Sequence, residues 1–235
     1  GPGEILFGNR GAVVIGEIDG SIRDRTRDMF RLMQIFEPDA VLSDDIWGWL
    51  WGKLGYGAML FGTALTDDSM AANFADPDRR PAWRALGREV MAVARARGVT
   101  PRGFNGFDPS AFAPEATDEV TDASIEALVG FTSKTAKTHT GIWRDLAVRK
   151  RKTEVDQQIG TIVRLAQEAG TGFTSLAVPA DVLAALDQDD FDIGDNNIQN
   201  EEDIEGSDLY ASVAARANSI ASSTKKLLAG AMGAP

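Results

Sequence analysis

Residues 46–65 carry one charged side chain, Lys53, and are apolar on nearly every side of a helix. Trp47, Trp51, Leu54, Ala58 and Phe61 repeat along one helical line; Ile46, Leu50, Gly57, Leu60 and Ala64 repeat along another, on which Lys53 also falls. A helix with so little polar surface has to be wrapped by other elements, so this one is expected to be central and buried. Ser43, followed by Asp44 and Asp45, supplies a start signal. Gly48, Gly52, Gly55, Gly57 and Gly62 each cost the helix roughly 1 kcal/mol relative to Ala, which close packing or room for a ligand would offset.

The partners needed to wrap it can be read from the rest of the chain. A helix is expected over 21–36, capped by Ser21 and ended by Pro38. Another is marked by Trp83, Leu86, Val90, Val93, Ala94 and Arg97 and closed by Gly98. After a turn-rich stretch at 100–117, a third is expected over about 118–131. Toward the N-terminus, residues 4–7 and 12–15 have β character and flank a turn composition, consistent with a hairpin. Near the other end lie a short helix around Leu183, an acidic segment at 187–208 with ten carboxylates and no Lys or Arg, and a last Ala/Ser-rich helix over 209–228. The acidic segment lacks the Gly and terminal Glu of a calcium-binding loop at the required offsets and is read as a solvated loop, so no metal site is expected.

Composition narrows the partners. A net charge of −11 would repel nucleic acid and anionic membranes at long range. With no Cys, disulfides, thiolate metal sites and a cysteine nucleophile are excluded, and a reducing cytoplasm suits the chain. Neither a membrane span nor a signal peptide is evident, so a cytoplasmic location is expected.

The densest chemistry falls at 137–160. Ile142, Leu146 and Arg149 repeat at helical spacing, as do Val155, Ile159, Ile162 and Ala166, which predicts two short-linked helices with the basic run Arg149, Lys150, Arg151 and Lys152 at their junction. Thr153 and Asp156 fit a capping box that would start the second helix at Glu154. This segment resembles the ketopantoate reductase family, whose second domain carries a Lys-Thr-Ser-Met-like start, an Asp a few residues on, and then a Thr-Glu-Ile-Asp…Gly signature. The counterparts are Lys137 and Thr138, then Asp145, then Thr153, Glu154, Val155 and Asp156 with Gly160. A second match lies upstream, where Asp45 and Ile46 followed by Leu50, Trp51, Lys53 and Leu54 resemble the family's Asp-Ile…Leu-Trp-x-Lys-Leu helix.

The resemblance implies a mainly α multi-helix domain, similar to the C-terminal domain of 6-phosphogluconate dehydrogenase-like enzymes, over 21–235. A short β remnant of a nucleotide-binding domain would precede it over 1–20. It implies the substrate-binding half of a reductase that uses NADPH on a 2-oxo acid, in a homo-oligomeric enzyme of pantothenate biosynthesis. Lys53 would protonate the developing alkoxide, and Glu154 would help hold substrate and cofactor. Asp145 would orient neighbouring donors, and Thr140 would offer its hydroxyl to the substrate carboxylate.

Each role has a plainer counterpart. Lys53 can snorkel its head to water, Glu154 suits a helix first turn, Asp145 can pair with Arg149, and Thr140 can be an N-cap. His139 has no triad or metal pattern and reads as a polar loop residue, and the basic run reads as a solvated junction. No Gly-x-Gly-x-x-Gly occurs, so the chain alone is expected to be inactive and to need a nucleotide-binding domain from elsewhere. Gly57 and Phe61 stand where the family has Asn, which points to a substrate larger or less polar than ketopantoate. The alternative is a non-catalytic helical dimerisation or interaction module.

Overall fold

Residues 3–4, 11–173 and 175 are described by a computed structural model of the chain. Val14–Ile15 forms a short strand, β1, which leads into helix α1 (Asp24–Phe36) and strand β2 (Val41–Leu42). The strands pair in parallel, Val14 opposite Val41 and Ile15 opposite Leu42, so the helix serves as their crossover. Of the strand expected at 4–7 only residue 4 is described, and β1 finds its described partner across α1. The helix starts later than Ser21 because that hydroxyl is engaged by the Asp19 carboxylate at 2.6 Å. Arg23 takes the N-cap position, and Glu17 reaches across to Arg25 and Thr26 to fasten the start of α1 to the end of β1.

The apolar stretch folds as α2 (Ile46–Thr63). Its cap is Asp45, whose carboxylate accepts from the Gly48 N–H, while Ser43 accepts from the Asp45 N–H one step earlier. Burial is one-sided: Trp51, Gly55, Ala58, Met59 and Gly62 face the interior, while Trp47, Leu50 and Lys53 are exposed. The expectation of a helix buried all round is corrected here: Trp47, Leu50 and Lys53 in its first turns are exposed, while further along Leu60 packs on the core and Ala64 is buried. The glycines do mark close approach. A Cβ on Gly52 would lie 1.9 Å from the Arg102 carbonyl oxygen, and the Arg102 N–H donates to the Gly48 carbonyl at 2.8 Å, so the chain after Gly98 crosses directly over α2.

Helix α3 (Met70–Ala75), capped by Ser69, is too short to have signalled itself by periodicity. Helix α4 (Arg80–Ala96) packs along α2, and α5 (Asp118–Thr132) packs on α3. An arginine ladder on α4 meets acids on α5: Arg80 pairs with Glu126, Arg84 with Asp118 and Asp122, and Arg88 with Asp118. The core between them holds Phe61, Phe74, Val90, Phe107, Phe112, Ile125 and Leu128.

Residues 141–169 form the expected helix pair, with an unexpected winding. Helix α6 (Gly141–Trp143) runs into a π-helical turn, Arg144–Val148. A second π-helical turn, Asp156–Gly160, runs into α7 (Thr161–Ala169), whose buried stripe Val155, Ile159, Ile162 and Ala166 is the one foreseen. The Thr153 hydroxyl accepts from the Val155 N–H, one position earlier than the capping box requires. The architecture is mainly α, as expected. The helices expected near Leu183 and over 209–228, and the acidic segment between them, lie outside the described residues. No helix among the described residues is long and apolar enough to cross a membrane.

Candidate active site

Lys53 lies on the uncovered side of α2, in line with the exposed Trp47 and Leu50. Gly57 follows one turn later, and its bare Cα leaves a gap. The nearest atom to a Cβ built there is Gln158 Oε1, 3.7 Å away on the π-helical turn before α7. The same amide donates through Nε2 to Glu154 Oε2 at 2.8 Å. Gln158 therefore bridges the Glu154 carboxylate to the face of α2 that carries Lys53. Gly57 and Gln158, about a hundred positions apart in sequence, are neighbours at this point.

The π winding places this bridge. Val155 and Ile159 are both buried and anchor the inner side of the turn, and the wide turn between them carries Gln158 toward α2. Periodicity in the sequence locates the buried stripe but says nothing about an extra residue in the turn, so Gln158 was not foreseen. Its spacing of four from Glu154 was the available signal.

Asp145, on the other π-helical turn, accepts from both Arg149 at 2.9 Å and Arg151 at 3.1 Å. Partial burial pushes its carboxyl up, but the hydrogen bonds from Arg151 and Arg149 outweigh this and leave it below the usual carboxylate range. The Arg151 N–H also returns to the Asp145 carbonyl. With Lys150 in the left-handed region at φ 50°, the chain turns so that Arg149 and Arg151 both reach one carboxylate while the whole basic run stays exposed, the solvated junction that was expected. The pairing of Asp145 with Arg149 is the plainer role foreseen for it.

Thr140 is buried, and its hydroxyl oxygen accepts from the Trp143 N–H at 3.0 Å, which makes it the N-cap of α6. His139 is held between Thr138 and the Asp67 carbonyl and stacks on Trp143 with ring centres 4.2 Å apart. Trp143 in turn donates to the Asp67 carboxylate. This clasp ties the start of α6 to the loop before α3. Beside it Lys137 is half-buried, and burial together with nearby Arg144 lowers its pKa below the usual lysine range. Among the described residues no cluster of His, Asp and Glu could hold a metal ion.

Residues 45–186, more than half of the chain, match the family described as Ketopantoate reductase PanE/ApbA C terminal. The chain belongs to this family. Its match spans Lys53, Thr140, Asp145 and Glu154 together. No curated protein matches the chain. Among solved structures it is similar to a D-mandelate dehydrogenase in ternary complex with NADH and anilino(oxo)acetate, at 16% identity and a TM-score of 0.54. The likeness covers 71% of this chain and 50% of that one, so the chain spans about half the length of its neighbour. At that identity the likeness supports the fold. The family match makes residues 45–186 of this member of the ketopantoate reductase family a C-terminal domain of that type.

Proposed function

We propose that this chain is the substrate-binding half of an NADPH-dependent reductase acting on a 2-oxo acid, and that Lys53 is its proton donor. The observation that supports this reading is Gln158, which donates to Glu154 and stands 3.7 Å from the Cβ position of Gly57, one turn from the exposed Lys53 on α2. A polar group beside exposed Trp47 and Leu50 suits a cleft that a second domain closes. When bound, the nicotinamide supplies hydride to the carbonyl carbon. Lys53 meets the charge that then develops on the carbonyl oxygen and gives it a proton, which its exposed ammonium recovers from water.

Of what a nicotinamide nucleotide needs, the described residues offer an exposed carboxylate, Glu154, suited to accept from a ribose hydroxyl. The sequence supplies no Gly-x-Gly-x-x-Gly turn for the pyrophosphate, so the other half carries that task. Asp145, through its two arginines, fixes the loop that leads to Glu154, and Thr140 fixes the start of α6. Their contribution to substrate binding is then indirect.

The test joins this chain to a nucleotide-binding half and follows NADPH consumption with a panel of 2-oxo acids. Reduction that depends on Lys53 is expected. Equal rates for the wild type and Lys53→Ala on every acid reduced would overturn the reading.

A further inference from the structure

Residues 137–153 set six cations, Lys137, Arg144, Arg149, Lys150, Arg151 and Lys152, against one carboxylate, Asp145, in a chain whose net charge is −11. Asp145 is taken by Arg149 and Arg151, each at 2.9 Å. Among the described residues Lys137, Arg144, Lys150 and Lys152 have no carboxylate within ion-pair distance. The backbone gathers these charges: the Arg149 N–H donates to the Arg144 carbonyl at 2.8 Å and the Arg151 N–H to the Asp145 carbonyl at 2.9 Å, which folds the junction back on the π-helical turn it leaves. Lys150 holds φ 50°, which a β-carbon disfavours and glycine would accept freely, and strain of this kind at a non-glycine residue points to function. Burial, with Arg144 adding to it, lowers the pKa of Lys137, and the protein beneath Lys150 lowers its pKa although the side chain is exposed. Cations disfavoured in this way gain from an anion beside them. A merely solvated junction would need neither the strained turn nor the crowding.

We infer that this junction is a phosphate-binding surface, whose Lys150 and Lys152 bind a phosphate of the nicotinamide nucleotide held by the other half. The inference rests on the functional reading above, in which Glu154 accepts from a ribose hydroxyl. Lys152 stands two residues before Glu154, and a ribose of the nucleotide carries a phosphate close to its hydroxyls, so a ribose at Glu154 brings a phosphate within reach of a lysine side chain. Glu154 itself accepts from Gln158 Nε2 and pairs with neither lysine, which leaves both ammonium groups to the ligand. Backbone N–H groups of a glycine-rich turn in the other half would hold the pyrophosphate by hydrogen bonds; Lys150 and Lys152 supply the neutralising charge that such a turn lacks.

The experiment measures nucleotide affinity, by calorimetry at low and at high salt, for this chain assembled with its nucleotide-binding half. Replacing both lysines, Lys150→Gln with Lys152→Gln, should weaken NADPH binding roughly tenfold at low salt and much less at high salt, as expected for two exposed charge contacts. The charge-keeping pair Lys150→Arg with Lys152→Arg should bind as the wild type does, which a structural defect in the loop would not allow. NADH identifies the phosphate: a matching loss for NADH assigns the contact to the pyrophosphate, and a loss confined to NADPH assigns it to the 2′-phosphate. Unchanged affinity in the Gln pair, a loss that high salt does not reduce, or an equal loss in the Arg pair overturns the inference; continued Lys53-dependent reduction of a 2-oxo acid by that variant leaves the functional reading intact. If the wild type binds neither nucleotide, both readings fall.

Discussion

Lys53 separates catalysis from stability at a single position. Because it is exposed and no described group depends on it, Lys53→Ala should leave the melting temperature within about 1 °C while lowering turnover roughly 100- to 10,000-fold, the usual worth of a positioned general acid. Paired thermal and kinetic measurements check both halves of that expectation. Glu17 gives a pH prediction. Hydrogen bonds from Arg25 and Thr26 lower its pKa from 4.5 to about 2. A carboxylate depressed in the folded state stabilises fully above its unfolded value and loses that contribution as pH falls through its folded value, so the window runs from 4.5 down to about 2. The melting temperature of Glu17→Gln should lie below the wild type at pH 6 and converge with it toward pH 2. At this scale motifs in the sequence singled out Lys53, Asp145 and Glu154, and all three fall within the family match. The sequence also offered the plainer roles that the structure shows, Thr140 as an N-cap and Asp145 paired with Arg149, but not the second partner Arg151, which the left-handed turn at Lys150 brings back to Asp145.

Helix α2 shows that glycines in one helix answer to different forces. At Gly52 a Cβ would strike the Arg102 carbonyl oxygen at 1.9 Å, and neither backbone can yield easily. At Gly57 the nearest atom is 3.7 Å away, an ordinary contact. Gly52→Ala should therefore destabilise by about 3 kcal/mol, the upper range for overpacking, whereas Gly57→Ala should stabilise by about 1 kcal/mol through helix propensity. Denaturant unfolding of the two variants side by side checks the contrast. Sequence periodicity placed α1, α2, α4, α5 and α7 within a few residues, because each buries a regular stripe. It missed α3, which is shorter than two turns, and both π-helical turns, where the period itself changes. It also took α2 as buried all round, because an exposed apolar residue such as Trp47 or Leu50 has the same residue type as core.

Across the described residues as a whole, exposed apolar surface is the dominant feature. Ile18, Met29, Leu32, Ile35, Phe36, Val41, Trp47 and Leu50 are all exposed, and all belong to the β1–α1–β2 unit or the first turns of α2. Without a covering partner such surface favours association. Sedimentation of the chain alone should show concentration-dependent oligomers that Ile35→Lys and Phe36→Lys reduce; a clean monomer at high concentration would remove this expectation. Two parallel strands hold together poorly by themselves, yet here they fasten α1 and the start of α2 to one another, with Trp47 donating to the Ile18 carbonyl. For protein engineers this sets the splice point. A chimera that grafts a nucleotide-binding half onto this chain should be cut ahead of residue 11, so that β1, α1 and β2 travel as one cassette with the helical body. A cut between α1 and α2 would replace one strand's register with a stranger's, and the graft would have to relearn the pairing that seats the start of α2.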